Sequence, residues 1–120
     1  MKNQESREMY LETILILKNE LDCVRAVDVS NAMSVTRAST SRALKLLREN
    51  SYICIDGLGG IVLTKQGKEL ATMIYDRHVT LTRFFEKIGV GSENAIKDAC
   101  KIEHIISEES FNKIKEFLSK

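Results

Sequence analysis

The 120 residues carry 18 basic and 17 acidic side chains for a net charge of +1, with 43% hydrophobic and 29% charged residues and neither proline nor tryptophan. That length holds one compact domain or two small units sharing a core, which excludes a large catalytic architecture, and the balance is that of a soluble, mainly helical protein. No run approaches the ~18 apolar residues of a membrane span, and the N-terminal residues Met1 to Glu8 contain no apolar signal core, so no membrane partner is expected.

Residues 5–20 predict an amphipathic helix, with Tyr10, Ile14 and Leu17 at helical spacing on the face that enters a core. Met9 and Glu12, three residues apart on a neighbouring face, pair a thioether with a carboxylate. That pair is a small cluster of potential ligands, although Met9 as plain packing is the commoner outcome. A short helix is expected from Val27 to Met33, and Thr36 is placed to cap a following helix over 37–49. At 100° per residue, Thr40, Ala43, Leu44 and Leu47 fall on one side of that helix. Ala38, Ser41, Arg42 and Lys45 fall on the other, with Arg37 at the leading edge and Ser39 at the flank. Two short helices joined by a tight turn, the second small, polar and basic outside, match a helix-turn-helix whose second helix enters the major groove of DNA. Residues 34–50 hold four basic side chains against the single acid Glu49, which suits a polyanion. The competing reading is a solvated basic face.

The next segment weighs against that alternative. Tyr52-Ile53-Cys54-Ile55, Asp56-Gly57-Leu58-Gly59-Gly60 and Ile61-Val62-Leu63 read as two β-branched strands around a glycine-rich bend, the wing of a winged helix. The bend joins strands instead of opening a helix, so it is a poor nucleotide cradle. Thr64 can cap a long helix over 65–88 that Gly89 ends, with Leu70, Ile74, Leu81 and Phe85 forming its apolar stripe and His78 falling within it. Residues 92–106 form the next helix, with Ser92 as its cap, and a last helix starts at Ser107 and runs to the end. The junction near Thr64 divides the chain into residues 1–64 and 65–120.

The helix over 92–106 carries Cys100-Lys101-Ile102-Glu103-His104. Positions 100, 103 and 104 are spaced i, i+3, i+4, so a sulfur, a carboxylate and an imidazole project from one side within a turn, on the stripe of Ile96 and Ala99. Polar groups on a core-facing stripe need partners, and this donor set suits a divalent ion of intermediate softness. The bland alternative is a buried Cys beside a chance Glu-His pair. Cysteines 23, 54 and 100 are odd in number and lack CxxC spacing, which argues against a disulfide framework or zinc ribbon and fits a reducing cytoplasm.

Glu8-Met9-Tyr10-Leu11, Leu63-Thr64-Lys65-Gln66-Gly67-Lys68, His78, Ile88-Gly89-Val90 and Cys100-Lys101-Ile102-Glu103-His104 together resemble the diphtheria-toxin-repressor family of metal-dependent transcriptional regulators, including its shorter manganese-transport regulators. The resemblance implies a mainly α protein with an N-terminal winged helix-turn-helix, a helical dimerisation domain and a primary metal site between them. The family's iron type implies Met9, Cys100, Glu103 and His104 as ligands. Its manganese type has carboxylates at the positions of Met9 and Cys100 and implies Glu12 and His78 in addition, so the set here is a hybrid. The acid and second histidine of the iron type's ancillary site are replaced by Thr82 and Ile96, which removes the basis for that site. Recognition positions correspond to Thr36, Ala38, Ser39 and Arg42. The chain is expected to be a short form without the SH3-like domain of longer members.

The expectation is therefore a non-enzymatic, homodimeric repressor that binds double-stranded operator DNA when loaded with Fe(II) or Mn(II), controls metal-homeostasis genes and takes no small organic substrate. Its rivals are a metal-independent winged-helix regulator, a thiol redox sensor using Cys100, and a zinc hydrolase using His78, Glu103 and His104. The redox sensor lacks an evident resolving cysteine, and the hydrolase lacks an HExxH run.

Overall fold

The computed structural model describes residues 4–120. In chain order the elements are α1 (Gln4–Glu20), α2 (Ala26–Met33), α3 (Arg37–Glu49), β1 (Ile53–Ile55), β2 (Ile61–Leu63), α4 (Lys65–Lys87), α5 (Ser92–Ile102) and α6 (Glu108–Leu118). The chain forms two compact units that divide between Thr72 and Met73, within α4.

The first unit is the expected winged helix. Its core joins Tyr10, Leu11 and Ile14 of α1 to Val29 of α2, Ala43, Leu44 and Leu47 of α3, and Ile53 and Ile61 of the hairpin. Each large apolar side chain so buried contributes about 1.5–3 kcal/mol relative to exposure. The α2–α3 turn passes through Ser34 in the left-handed region (φ 56°), whose N–H returns to the carbonyls of Asn31 and Ser30. The buried Ser30 hydroxyl donates to the Val35 carbonyl at 2.7 Å and pins the turn from inside. Thr36 caps α3 by accepting from the Ser39 N–H at 3.0 Å, so α3 begins at Arg37, one turn before its first buried residue Thr40.

β1 and β2 pair antiparallel with Ile53 opposite Leu63, Cys54 opposite Val62 and Ile55 opposite Ile61. The bend is held by Asp56, whose Oδ1 accepts from the N–H groups of Leu58 and Gly60, each at 2.8 Å. Those two bonds favour the anion: the Gly60 and Leu58 amides hold the Asp56 carboxyl below its ordinary value of 3.8. Lys18 of α1 donates to the Ile61 carbonyl, and the Ile61 N–H to the Val24 carbonyl, which fastens the hairpin to the helices. Thr64 then does two things: it donates to the Ser51 carbonyl and accepts from the Gly67 N–H at 3.1 Å, capping α4. Gly67 packs against the backbone of Tyr52 so closely that a Cβ there would collide with the Tyr52 carbonyl oxygen.

In the second unit, Ile74 and Leu81 of α4, Ala95 and Ala99 of α5, and Phe111 of α6 are buried. Phe84 meets Phe85 and Phe117 with ring centroids 5.7 and 5.9 Å apart. Gly89 ends α4 at φ 103°, the left-handed terminator the sequence predicts.

Two details depart from the sequence reading. Ser92 is the first residue of α5 and not its cap, because its hydroxyl donates to Glu86 at 2.9 Å and Gly91 takes the cap position without a side-chain bond. α5 also stops at Ile102, leaving Glu103 and His104 in the turn toward α6 instead of in a helix reaching 106. Of the stripe expected to face the core, Ala99 is buried but Ile96 is 49% exposed, and Ile105 beyond the helix end is 76% exposed. No helix among the described residues is long and apolar enough to cross a membrane.

Candidate metal centre and nucleic-acid interface

Glu103 sits at the C-cap of α5 and is completely buried, as is the side chain of His104. His78 reaches the same carboxylate from α4, so Glu103 lies between two imidazoles. His78 Nδ1 is 3.1 Å from Glu103 Oε2 and His104 Nε2 is 3.4 Å from Oε1. Neither oxygen accepts a hydrogen bond of good geometry among the described residues. A carboxylate shut away from water in this manner is costly unless positive charge or strong donors face it. Protonated imidazoles could supply that charge. A divalent metal ion could supply it as well, and the oxygen and nitrogen donors converging here are of the type that hold one. The residues present therefore fit a metal centre.

Cys100 is half-buried on α5, one turn before Glu103 and His104. Met9 and Glu12 lie on α1 in the other unit, Met9 half-buried and Glu12 8% exposed. Glu8, four residues before Glu12, is also buried and accepts from Gln4 at 2.8 Å. From the sequence Glu8 stood out only as part of the Glu8-Met9-Tyr10-Leu11 run, and its burial is seen first in the fold. Thr82, at a position where the iron type would need an acid, turns its hydroxyl to the His78 carbonyl at 2.8 Å.

Arg77, next to His78, was also missed. Its Nη1 donates to the carbonyls of Glu103 and Ile106, both at 3.2 Å. An arginine on a helix gives no sequence signal that it will reach a carbonyl 26 residues away.

On α3, Arg37, Ala38, Ser41, Arg42 and Lys45 are exposed, together with the cap Thr36, while Ser39 is half-buried at the flank. Thr40, Ala43, Leu44 and Leu47 are buried, which leaves a basic, short-chained outer face on a rigid support. Arg42 is partly ordered, its Nη2 donating to Ser39 Oγ at 3.3 Å, and Ser39 Oγ lies 3.0 Å from Thr36 Oγ1. This chain of three side chains at i, i+3 spacing presents a guanidinium at low entropic cost on binding. Such a face can meet phosphates through Arg and Lys and base edges through Arg42.

Comparison with known proteins agrees with both features. Residues 3–61 match the family profile "Iron dependent repressor, N-terminal DNA binding domain", and residues 64–120 match "Iron dependent repressor, metal binding and dimerisation domain". The chain is 34% identical over 109 residues to the HTH-type transcriptional regulator MntR of Geobacillus thermodenitrificans (strain NG80-2), covering 91% of this chain and 77% of the relative. Among solved structures it is similar to the manganese regulator SloR (TM-score 0.84, 24% identity, 94% of this chain and 53% of that one). It is also similar to a manganese-dependent transcriptional repressor in complex with manganese (TM-score 0.86, 22% identity, 94% and 52%). At these identities the structural likeness is one of fold, and the chain spans about half the length of those solved structures. With both of its halves matched and an MntR relative aligned along most of its length, the chain belongs to the iron-dependent repressor family of metal-dependent, DNA-binding transcriptional regulators.

Proposed function

We propose that the chain represses metal-homeostasis genes in the cytoplasm by binding operator DNA as a homodimer. Its DNA-competent form is selected by Fe(II) or Mn(II) held by Met9, Glu12, His78, Cys100, Glu103 and His104. The observation that carries this reading is the buried Glu103 carboxylate, flanked by two imidazoles and accepting no hydrogen bond of good geometry among the described residues. When bound, the ion supplies divalent charge and fixed coordination directions.

The chain's own residues account for the rest. Met9 and Glu12 belong to the DNA-binding segment 1–64, while the other four belong to the segment 65–120. Ligation drawn from both restricts their relative freedom, and two recognition helices must stand about 34 Å apart, or a multiple of one DNA turn, to engage two half-sites. Linkage requires that the same coupling free energy, typically ~1–3 kcal/mol, tighten DNA binding by metal and metal binding by DNA. Arg37, Arg42 and Lys45 supply phosphate attraction, while Thr36, Ala38, Ser39 and Ser41 let the α3 backbone approach the groove.

Fluorescence anisotropy of a labelled operator fragment tests the reading. Affinity should fall on chelation and return with Mn(II) or Fe(II); equal affinity in both states rejects it. His104→Ala should remove the metal response and leave weak, salt-sensitive binding, because the basic residues of α3 are untouched.

A further inference from the structure

α5 ends at Ile102, and the carbonyls beyond it lose the intrahelical partners they would otherwise have. Arg77 takes up two of them. Its Nη1 donates to the carbonyls of Glu103 and Ile106, and its guanidinium lies 5.6 Å over the ring of Phe111, which is buried in α6. One side chain thus joins α4, the turn bearing Glu103 and His104, and the start of α6. The residue after it on α4 is His78, which faces the Glu103 carboxylate while Arg77 holds the Glu103 carbonyl. Backbone bonds from the Glu103 N–H to Ala99 and from the Ile105 and Ile106 N–H groups to Ile102 shape the turn from its own side. Ile105 at its tip is 76% exposed, so among these contacts Arg77 is the one that ties the turn's carbonyls to α4.

We infer that Arg77 is a positioning residue for the metal centre. By closing the turn over 103–106, it presents the carboxylate of Glu103 and the imidazole of His104 to the ion in register with His78. This rests on the metal reading above. Without the guanidinium, those ligands would have to be ordered at the moment of binding, and the conformational cost would be subtracted from metal affinity. Groups that orient metal ligands from outside the coordination sphere typically contribute 10–100-fold in affinity. Lysine would keep the charge and could donate to a carbonyl, but it lacks the planar fork and its stacking on Phe111.

The test compares wild type, Arg77→Lys and Arg77→Met as full chains. Mn(II) affinity is measured by calorimetry at a temperature where circular dichroism shows each variant folded. The visible absorption of the Co(II)-loaded protein reports ligand geometry independently of stability. Arg77→Met should weaken Mn(II) binding about 10-fold or more and change the Co(II) bands, with Arg77→Lys between it and wild type. If Arg77→Met proves unfolded, the Lys variant carries the comparison. A lowered melting temperature with unchanged Mn(II) affinity and an unchanged Co(II) spectrum overturns the inference and leaves Arg77 a purely structural residue. Failure of wild type itself to bind either ion overturns the metal reading, and this inference with it.

Discussion

The proposed recognition helix α3 and the turn after α5 that carries the proposed ligands Glu103 and His104 are built in opposite ways. α3 supports itself. Thr36 caps it, its buried face repeats at helical spacing, and its functional residues lie on the exposed side, where burial demands nothing of them. The turn at Glu103 and His104 is supported from elsewhere, by Arg77 on its carbonyls and by His78 on its carboxylate, and its functional groups are buried. A surface that reads DNA can be specified locally, because water satisfies its polar groups until DNA arrives. A site for a small ion must exclude water, so its donors come from distant segments and depend on one another.

The largest effect that would sharpen this contrast comes from beneath α3. Leu47→Ala should cost about 2–5 kcal/mol of stability in urea unfolding, since the side chain is wholly buried among α1, α3 and the hairpin. Under native conditions its Mn(II) affinity should stay near that of wild type. A parallel collapse of metal affinity would show that the two regions are not separately built. Next is Arg42→Ala, expected to weaken operator binding by about 1–3 kcal/mol if Arg42 reads a base edge. A uniform, smaller loss across all sequences would place it on phosphate instead.

The smallest effect lies in the wing. Asp56 is held below its ordinary 3.8 by the Gly60 and Leu58 amides, so its anion supports the bend fully above that value, and the support fades as pH falls through the depressed one. The amide resonances of Leu58 and Gly60 should therefore shift together with a midpoint below 3.8, and Asp56→Asn should abolish the step. A midpoint at or above the ordinary value would mean that the two hydrogen bonds do not favour the anion.

The same contrast decides what could be read in the sequence. The bounds of α3, its buried set of Thr40, Ala43, Leu44 and Leu47, the hairpin, and the terminators Thr36, Thr64, Gly89 and Ser107 all follow from signals within a few residues. The end of α5 did not. Ile105 and Ile106 continue an apolar pattern that the backbone abandons, and nothing local announces that Arg77 will take the freed carbonyls. Ser92 misled for a similar reason, since its hydroxyl had a better acceptor in Glu86, six residues back. The grouping of His78 with Glu103 and His104 was left open by spacing and became visible only in the fold. Helical spacing offered Met9 and Glu12 as potential ligands, with packing the commoner outcome for Met9, and the family resemblance is what implied a metal-binding role for them.

Gly67 has a consequence of its own. Its Cα abuts the Tyr52 carbonyl where α4 leaves the hairpin, so no amino acid bearing a side chain fits there without prying the wing loose. Gln66 and Lys68 on either side are exposed, so their side chains meet no such wall. Sterics therefore confine this joint to a single residue type, while the positions flanking it are under no such restriction from the fold.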